Sequence, residues 1–261
     1  MFENGSKVVG MEIYILAACF FLFGYLLNIF YITVLYHRGL THQALVFRPW
    51  MMRVLGKTGI WITGLEPKVW ACMHRLHHQN SDTLEDPHSP KFVGVWGVWV
   101  KQYFSYREIL RRINLQDKKL LRIVDDIPFD ISFVNRYNLS HLPYIVHGVV
   151  GLGLGLYFSS WIVGGGYFLG LMSHPIQGWM VNALAHRFGE RRFAIPDDSR
   201  NNLLVSWLVF GEGLQNNHHA HPKRANFSFH WLELDLGYVL CLLGEAVGLF
   251  KIQRVEINHK H

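Results

Sequence analysis

The chain is poor in cysteine. Cys19, Cys72 and Cys241 are the only three in 261 residues, and none belongs to a Cys-x-x-Cys pair. That excludes a disulfide framework and a thiolate metal site, and leaves each thiol to core packing. Acidic residues are also few, 19 against 25 Lys and Arg, for a formal net charge of +6. No compact basic and aromatic platform or zinc-finger spacing accompanies that excess, so nucleic-acid binding does not explain it. The glycines of "GVVGLGLGL" (148–156) lie inside an apolar segment without the strand and helix context of a dinucleotide loop, and close helix packing accounts for them. With no internal repeat, low-complexity tract or second-domain linker, residues 1–261 read as a single domain.

Charge itself is missing over long stretches. Ile13–Tyr36 carries none in 24 residues, and Tyr137–Ala185 contains no Asp, Glu, Lys or Arg. A helix of about 20 apolar residues crosses the hydrocarbon core of a bilayer. The expected spans are therefore residues 13–36, 143–162 and 166–185, the last two joined by a tight turn near "VGGG" (163–166). The first span has neither the basic start nor the small-residue cleavage site of a secretory signal.

What charge there is has a side. Lys101, Arg107, Arg111, Arg112, Lys118, Lys119, Arg122 and Arg136 precede the second span, and Arg187, Arg191 and Arg192 follow the third. Positive-inside bias puts both groups in the cytoplasm, two crossings apart, where they also attract anionic membrane lipids. The first helix then starts outside, with "MFENGSK" as a short tail, and ends inside at His37. Leu45–Met73 and Trp231–Phe250 are apolar but interrupted by charges, which suits interfacial helices and a covering helix. The expected fold is an all-α integral membrane protein with a cytoplasmic helical cap.

Sixteen histidines complete the pattern. His37 and His42 stand just beyond the first span in "HRGLTH"; His74, His77 and His78 follow in "HRLHHQNSDTLEDPH"; His186 ends the apolar hairpin; His218 and His219 lie in "QNNHHAH". All fall on the expected cytoplasmic edge. On one helix His74, His77 and His78 share a side. Neutral imidazoles suit iron or zinc, and eight of them exceed the four ligands of one zinc, so two metals fit the count. Asp82, Glu85, Asp86 and Glu212 are placed to hydrogen-bond ligand imidazoles. His88, His141, His147, His174, His230, His259 and His261 lack such reinforcement and read as packing or polar contacts.

At these residues the sequence resembles the membrane-bound fatty-acyl desaturases, especially the stearoyl-type Δ9 group and its bacterial relatives. "HRGLTH", "HRLHHQNSDTLEDPH", "NALAH" and "GEGLQNNHHAHP" occur in that family's order and spacing over nearly the whole chain. The resemblance implies a diiron centre beside a narrow acyl tunnel, with His37, His42, His74, His77, His78, His186, His218 and His219 as iron ligands. Asn182 matches a residue acting through water near one iron, and its spacing of four from His186 would place both on one helical face. Gln215 stands where the stearoyl type has His. A Q-x2-H-H box also occurs in the front-end branch, so Gln215 is expected to ligate iron or to orient a coordinated water.

The expected reaction is oxygen-dependent cis desaturation of a saturated long-chain fatty-acyl group at Δ9, with dioxygen as cosubstrate. No haem motif, four-cysteine cluster or flavin domain is present, so an external donor of the ferredoxin or cytochrome b5 type is required. Cys72 and Met73 replace the Arg-Asp pair by which stearoyl-type enzymes recognise CoA, which leaves acyl-CoA, acyl-lipid and acyl-carrier-protein substrates open. The resemblance places the chain in the bacterial inner membrane with its catalytic face cytoplasmic, or in an ER-type membrane. An acyl hydroxylase or acetylenase is the nearest alternative. A nonenzymatic metal-binding membrane protein or transporter is the alternative of another class, with no charged transmembrane pathway to favour it.

Overall fold

In an apolar setting every backbone N–H and C=O must find a partner within its own segment, and the helix is the local solution. The computed structural model, which describes residues 3–254, accordingly begins with α1 (Glu3–Ile29), so the expected exterior tail is helical from Glu3 on. His259 and His261, like Met1 and Phe2, lie outside the described residues. From α1 the chain runs without a break into a π-helical continuation, Phe30–Thr41. Gly10–Thr41, 32 residues, is among the described residues the one helix long and apolar enough to cross a membrane. His37 therefore sits inside this helix, one π-turn before its end, rather than beyond it.

A short strand β1 (Leu45–Phe47) leads into α2 (Pro49–Thr63) and α3 (Pro67–Asn80). Each of these helices starts on proline, whose missing N–H costs nothing in the first turn. Between them Gly64 closes α2 at φ +74°, and a Cβ there would stand 2.5 Å from the Tyr144 ring, so the turn requires glycine twice over. The cap continues through α4 (Gly94–Asn114), α5 (Lys118–Ile123) and α6 (Phe133–Arg136). Asp117 caps α5 by accepting from Lys119 N.

The apolar hairpin is α7 (Leu142–Tyr157) and α8 (Trp161–Leu171). Its joint falls at Phe158–Ser160, not near 163–166 as the sequence suggested. The glycines of "VGGG" lie inside α8 and serve packing: Gly164 abuts the Gly151 backbone of α7, and a Cβ on Gly166 would be 2.7 Å from the Ala17 carbonyl of α1. Gly24 and Gly170 make the same kind of α1–α8 contact further along. The expected third span does not run through. It is interrupted at Met172–Ser173 and resumes as α9 (His174–Trp179) and a π-turn, Met180–Leu184.

The chain then forms α10 (Leu203–Leu208), α11 (Gln215–Ala220), α12 (Leu236–Ala246) and β2 (Phe250–Ile252). β2 pairs antiparallel with β1, Phe47 opposite Phe250, and ties the C-terminal segment to the entrance of the cap. The covering helix expected over 231–250 is thus confined to α12. The outer faces of α1, α7 and α8 are apolar, with Tyr14, Phe23, Val149, Leu156 and Leu169 exposed.

The glycine contacts predict an asymmetry along α8. Gly170→Ala pushes a methyl into the Phe21 carbonyl and should destabilise by about 1–3 kcal/mol. Gly165→Ala meets nothing within 4 Å and should stabilise by up to about 1 kcal/mol. Thermal unfolding of the two variants in detergent measures the difference.

Candidate metal centre

A turn closed over five residues sets His37 above His42. His42 N donates to His37 O (3.1 Å), and the two rings lie 4.9 Å apart. An α-helix, at 3.6 residues per turn, would aim them to different sides. α3 supplies His74, His77 and His78 one turn apart, and α11 supplies His218 and His219. The eight histidines gather in two groups whose ligand nitrogens lie within 4.8 Å of one another: His37, His42, His74, His78 and His218 in one, His77, His186 and His219 in the other.

These nitrogens converge on each other. His78 Nε2 is 3.1 Å from His74 Nε2 and 3.0 Å from His218 Nε2, and His218 Nε2 is also 3.0 Å from His37 Nε2. One N–H can serve only one of these contacts, so the remaining lone pairs face each other without a proton between them. His42 Nε2 and His186 Nε2 are buried with no hydrogen-bond partner among the described residues. Lone pairs left unpaired in this way fit a cation at the centre of each group, and the all-imidazole donor set suits a first-row transition metal.

Carboxylates hold the other face of the rings. Asp86 accepts from His77 Nδ1 (2.9 Å), Asp82 lies 3.0 Å from His186 Nδ1, Asp197 2.9 Å from His219 Nδ1, and Glu212 2.5 Å from His37 Nδ1. Each aspartate contact fixes the tautomer that leaves Nε2 free. Burial alone would raise the Asp82 carboxyl, but its bond to His186 wins and holds it at about 2. Asp197 is likewise pushed below the carboxylate range by His219 despite burial. Every ring of the three-histidine group thus has an aspartate behind it. Among the described residues only His37 of the five-histidine group has a carboxylate partner, and Arg38 shares that one.

A cavity of about 220 Å³ opens beside the five-histidine group. His37 and His74 form part of its wall, Trp70 stacks 5.1 Å from His74 at 11°, and Leu65, Val181 and Val209 make it mainly apolar. Asn182 and Gln215 also face it. The profile of the fatty acid desaturase family matches residues 13–240. The chain belongs to the fatty acid desaturase family. It is 31% identical over 222 residues to Delta-9 acyl-lipid desaturase 1 of Arabidopsis thaliana, covering 84% of this chain and 68% of that one. It is 28% identical over 237 residues to the Acyl-CoA C20 Delta5-desaturase of Anemone leveillei, covering 88% and 71%. The palmitoyl-monogalactosyldiacylglycerol delta-7 desaturase of Arabidopsis thaliana chloroplasts is 30% identical over 222 residues, covering 84% and 56%. The protein is accordingly a fatty-acyl desaturase, an oxidoreductase.

Within this desaturase some site residues stand differently from the sequence expectation. The helix carrying Asn182 ends at Leu184, so His186 occupies the following turn and the two do not share a helical face. Asn182 Nδ2 instead donates to Gln102 on the cavity wall (3.3 Å). Gln215 shares the cavity wall with His37 and His74, and its Nε2 donates to Glu212 O (2.8 Å). Glu85 is exposed and has no ionic or side-chain hydrogen-bonding partner among the described residues. His88, read as packing, stacks 4.2 Å from His77, hangs by its N–H from Asp86 and lines the cavity. Asp197 escaped sequence reasoning altogether, because nothing local in "PDDS" marks a partner 22 residues away.

Asp82→Ala frees the His186 ring and should lower metal affinity roughly 10- to 100-fold. Glu85→Ala, three residues on, should leave it unchanged. Competition against a chelator, read as metal retained per chain, checks both.

Proposed function

We propose that the chain carries out oxygen-dependent cis desaturation of a saturated long-chain acyl group, at Δ9, with one iron held by each histidine group. The observation that carries this reading is the five-histidine group forming part of the wall of an apolar cavity. His37, His42, His74, His78 and His218 would hold one iron, and His77, His186 and His219 the other. Iron so held supplies activation of dioxygen, which zinc, without a redox cycle, does not. Overall, two vicinal hydrogens leave the acyl chain, a donor adds two electrons with two protons from solvent, and dioxygen departs as two waters.

The protein's own part is placement. Trp70 and the cavity wall exclude water and hold the chain extended past His74 and His37, so that adjacent methylenes meet the oxidant in turn. The carboxylates behind the rings keep the imidazoles from reorienting as metal charge changes. Asn182 and Gln215, polar groups on that wall, are positioned to orient a water beside the metals. The apolar outer faces of α1, α7 and α8 suit lipid contact, which supports an integral membrane protein. The Lys and Arg of 101–136 and 187–192 support a cytoplasmic catalytic face. The names of the relatives cover both acyl-lipid and acyl-CoA substrates, so the assay supplies both.

Reconstituted with iron, reductant and oxygen, the protein should convert stearoyl or palmitoyl substrates to products lighter by two hydrogens, with a cis bond between carbons 9 and 10 by mass spectrometry. Oxygen insertion instead would select the hydroxylase, and an alkyne from an alkene the acetylenase. No iron-dependent product on any carrier would overturn the desaturation reading.

A further inference from the structure

Trp70 stands four residues before His74 on α3, and its indole lies nearly flat against the His74 ring, 5.1 Å away at 11°. The χ2 torsion of an indole is broad and roughly two-fold, so stacking alone does not choose which edge of the ring meets the cavity. His174 makes that choice. Trp70 Nε1 donates to His174 Nε2 (3.3 Å), and the two rings meet edge to face, 6.2 Å apart at 67°. An indole N–H can only donate, so the His174 ring presents a lone pair at Nε2 and carries its proton on Nδ1.

His174 owes its place to the break in the third apolar segment. Side chains satisfy the backbone at that break: Asn28 Nδ2 donates to Leu171 O (2.8 Å) and Ser173 Oγ to Gly170 O (2.6 Å), while Gln177 Nε2 donates to Ser173 Oγ (2.7 Å). α9 then begins on His174, with Pro175 in its first turn. Gly178, four residues on, leaves open the space beside the imidazole. A Cβ there would lie 3.5 Å from His174 Cε1 and Nε2 and 3.9 Å from Gln102 Oε1, in ordinary contact with each. Trp70, His74, Gln102, His174 and Gly178 all line the acyl cavity. The hydrogen bond therefore belongs to the cavity wall, in an apolar segment where packing alone gives no reason for a histidine.

We propose that His174 is a positioning residue for the desaturation: by accepting the Trp70 N–H it fixes the indole against His74, and so sets which methylenes of the acyl chain stand beside the five-histidine group. The proposal rests on the desaturase reading. His174 acts through Trp70. With the hydrogen bond gone the indole turns more freely, the acyl chain passes the histidines at more than one depth, and hydrogen leaves from neighbouring methylenes as well.

The test uses the full-length chain in detergent, with isotope-labelled tryptophan for NMR. One indole N–H signal, identified by its absence from Trp70→Phe, should shift in His174→Phe and return towards its wild-type position in His174→Gln, whose amide oxygen accepts in place of Nε2. In iron-loaded protein given reductant, oxygen and a stearoyl substrate, the share of product with a displaced double bond should rise about tenfold in His174→Phe and in Trp70→Phe, and fall back in His174→Gln. The double variant should be no worse than either single one, because the pair acts as a unit. Iron per chain should not change. An indole signal unmoved by His174→Phe overturns the proposal, as does a wild-type isomer pattern in His174→Phe with its iron retained. Trp70→Phe makes the same test from the donor side, and additive effects in the pair overturn the proposal as well. No product from the wild type on any carrier fails the desaturase reading, whereas product at one position from the wild type and from both single variants fails the positioning role alone.

Discussion

Arg38 is fully buried, and the centre is organised around it. Its guanidinium donates to Glu212, to both oxygens of Asp235, and to the carbonyls of Thr33 and Ala225, and lies 3.9 Å from the Phe227 ring centroid. An unpaired charge at that depth would cost several kcal/mol, so these contacts are obligatory once the residue is there. They join the π-helical end of the first helix to the turn before α11 and to the start of α12. Glu212, held by Arg38, is the same group that holds His37. One buried cation thus fixes the geometry between histidines 181 residues apart in sequence.

Around that anchor the two halves of the centre differ in their surroundings. The five-histidine half is rich in ligands and poor in carboxylates, and it opens on an apolar cavity. The three-histidine half has fewer ligands but an aspartate behind each one.

The sequence revealed the helices and the histidines that share an element, and it missed partnerships between elements. His74, His77 and His78 were legible because three- and four-residue spacings have one meaning on a helix. The π-turn that aligns His37 with His42 was not, since a 3.6-residue reading offers no sign of it. Asp82 was anticipated through its crowded motif, whereas Asp197 and His88 gain their roles from residues brought together only by folding. The hairpin joint was misplaced for a physical reason: Gly164 and Gly166 relieve crowding against α7 and α1, and a turn-forming residue in an apolar helix serves packing equally well.

The proposed function requires each of the two histidine groups to hold one iron. Metal analysis combined with Mössbauer spectroscopy of iron-57-loaded protein tests it directly. Iron in both groups should give about two irons per chain and two quadrupole doublets of equal area, reflecting a five-imidazole and a three-imidazole environment. A single zinc, or one iron per chain with one doublet in fully loaded and active protein, would contradict it.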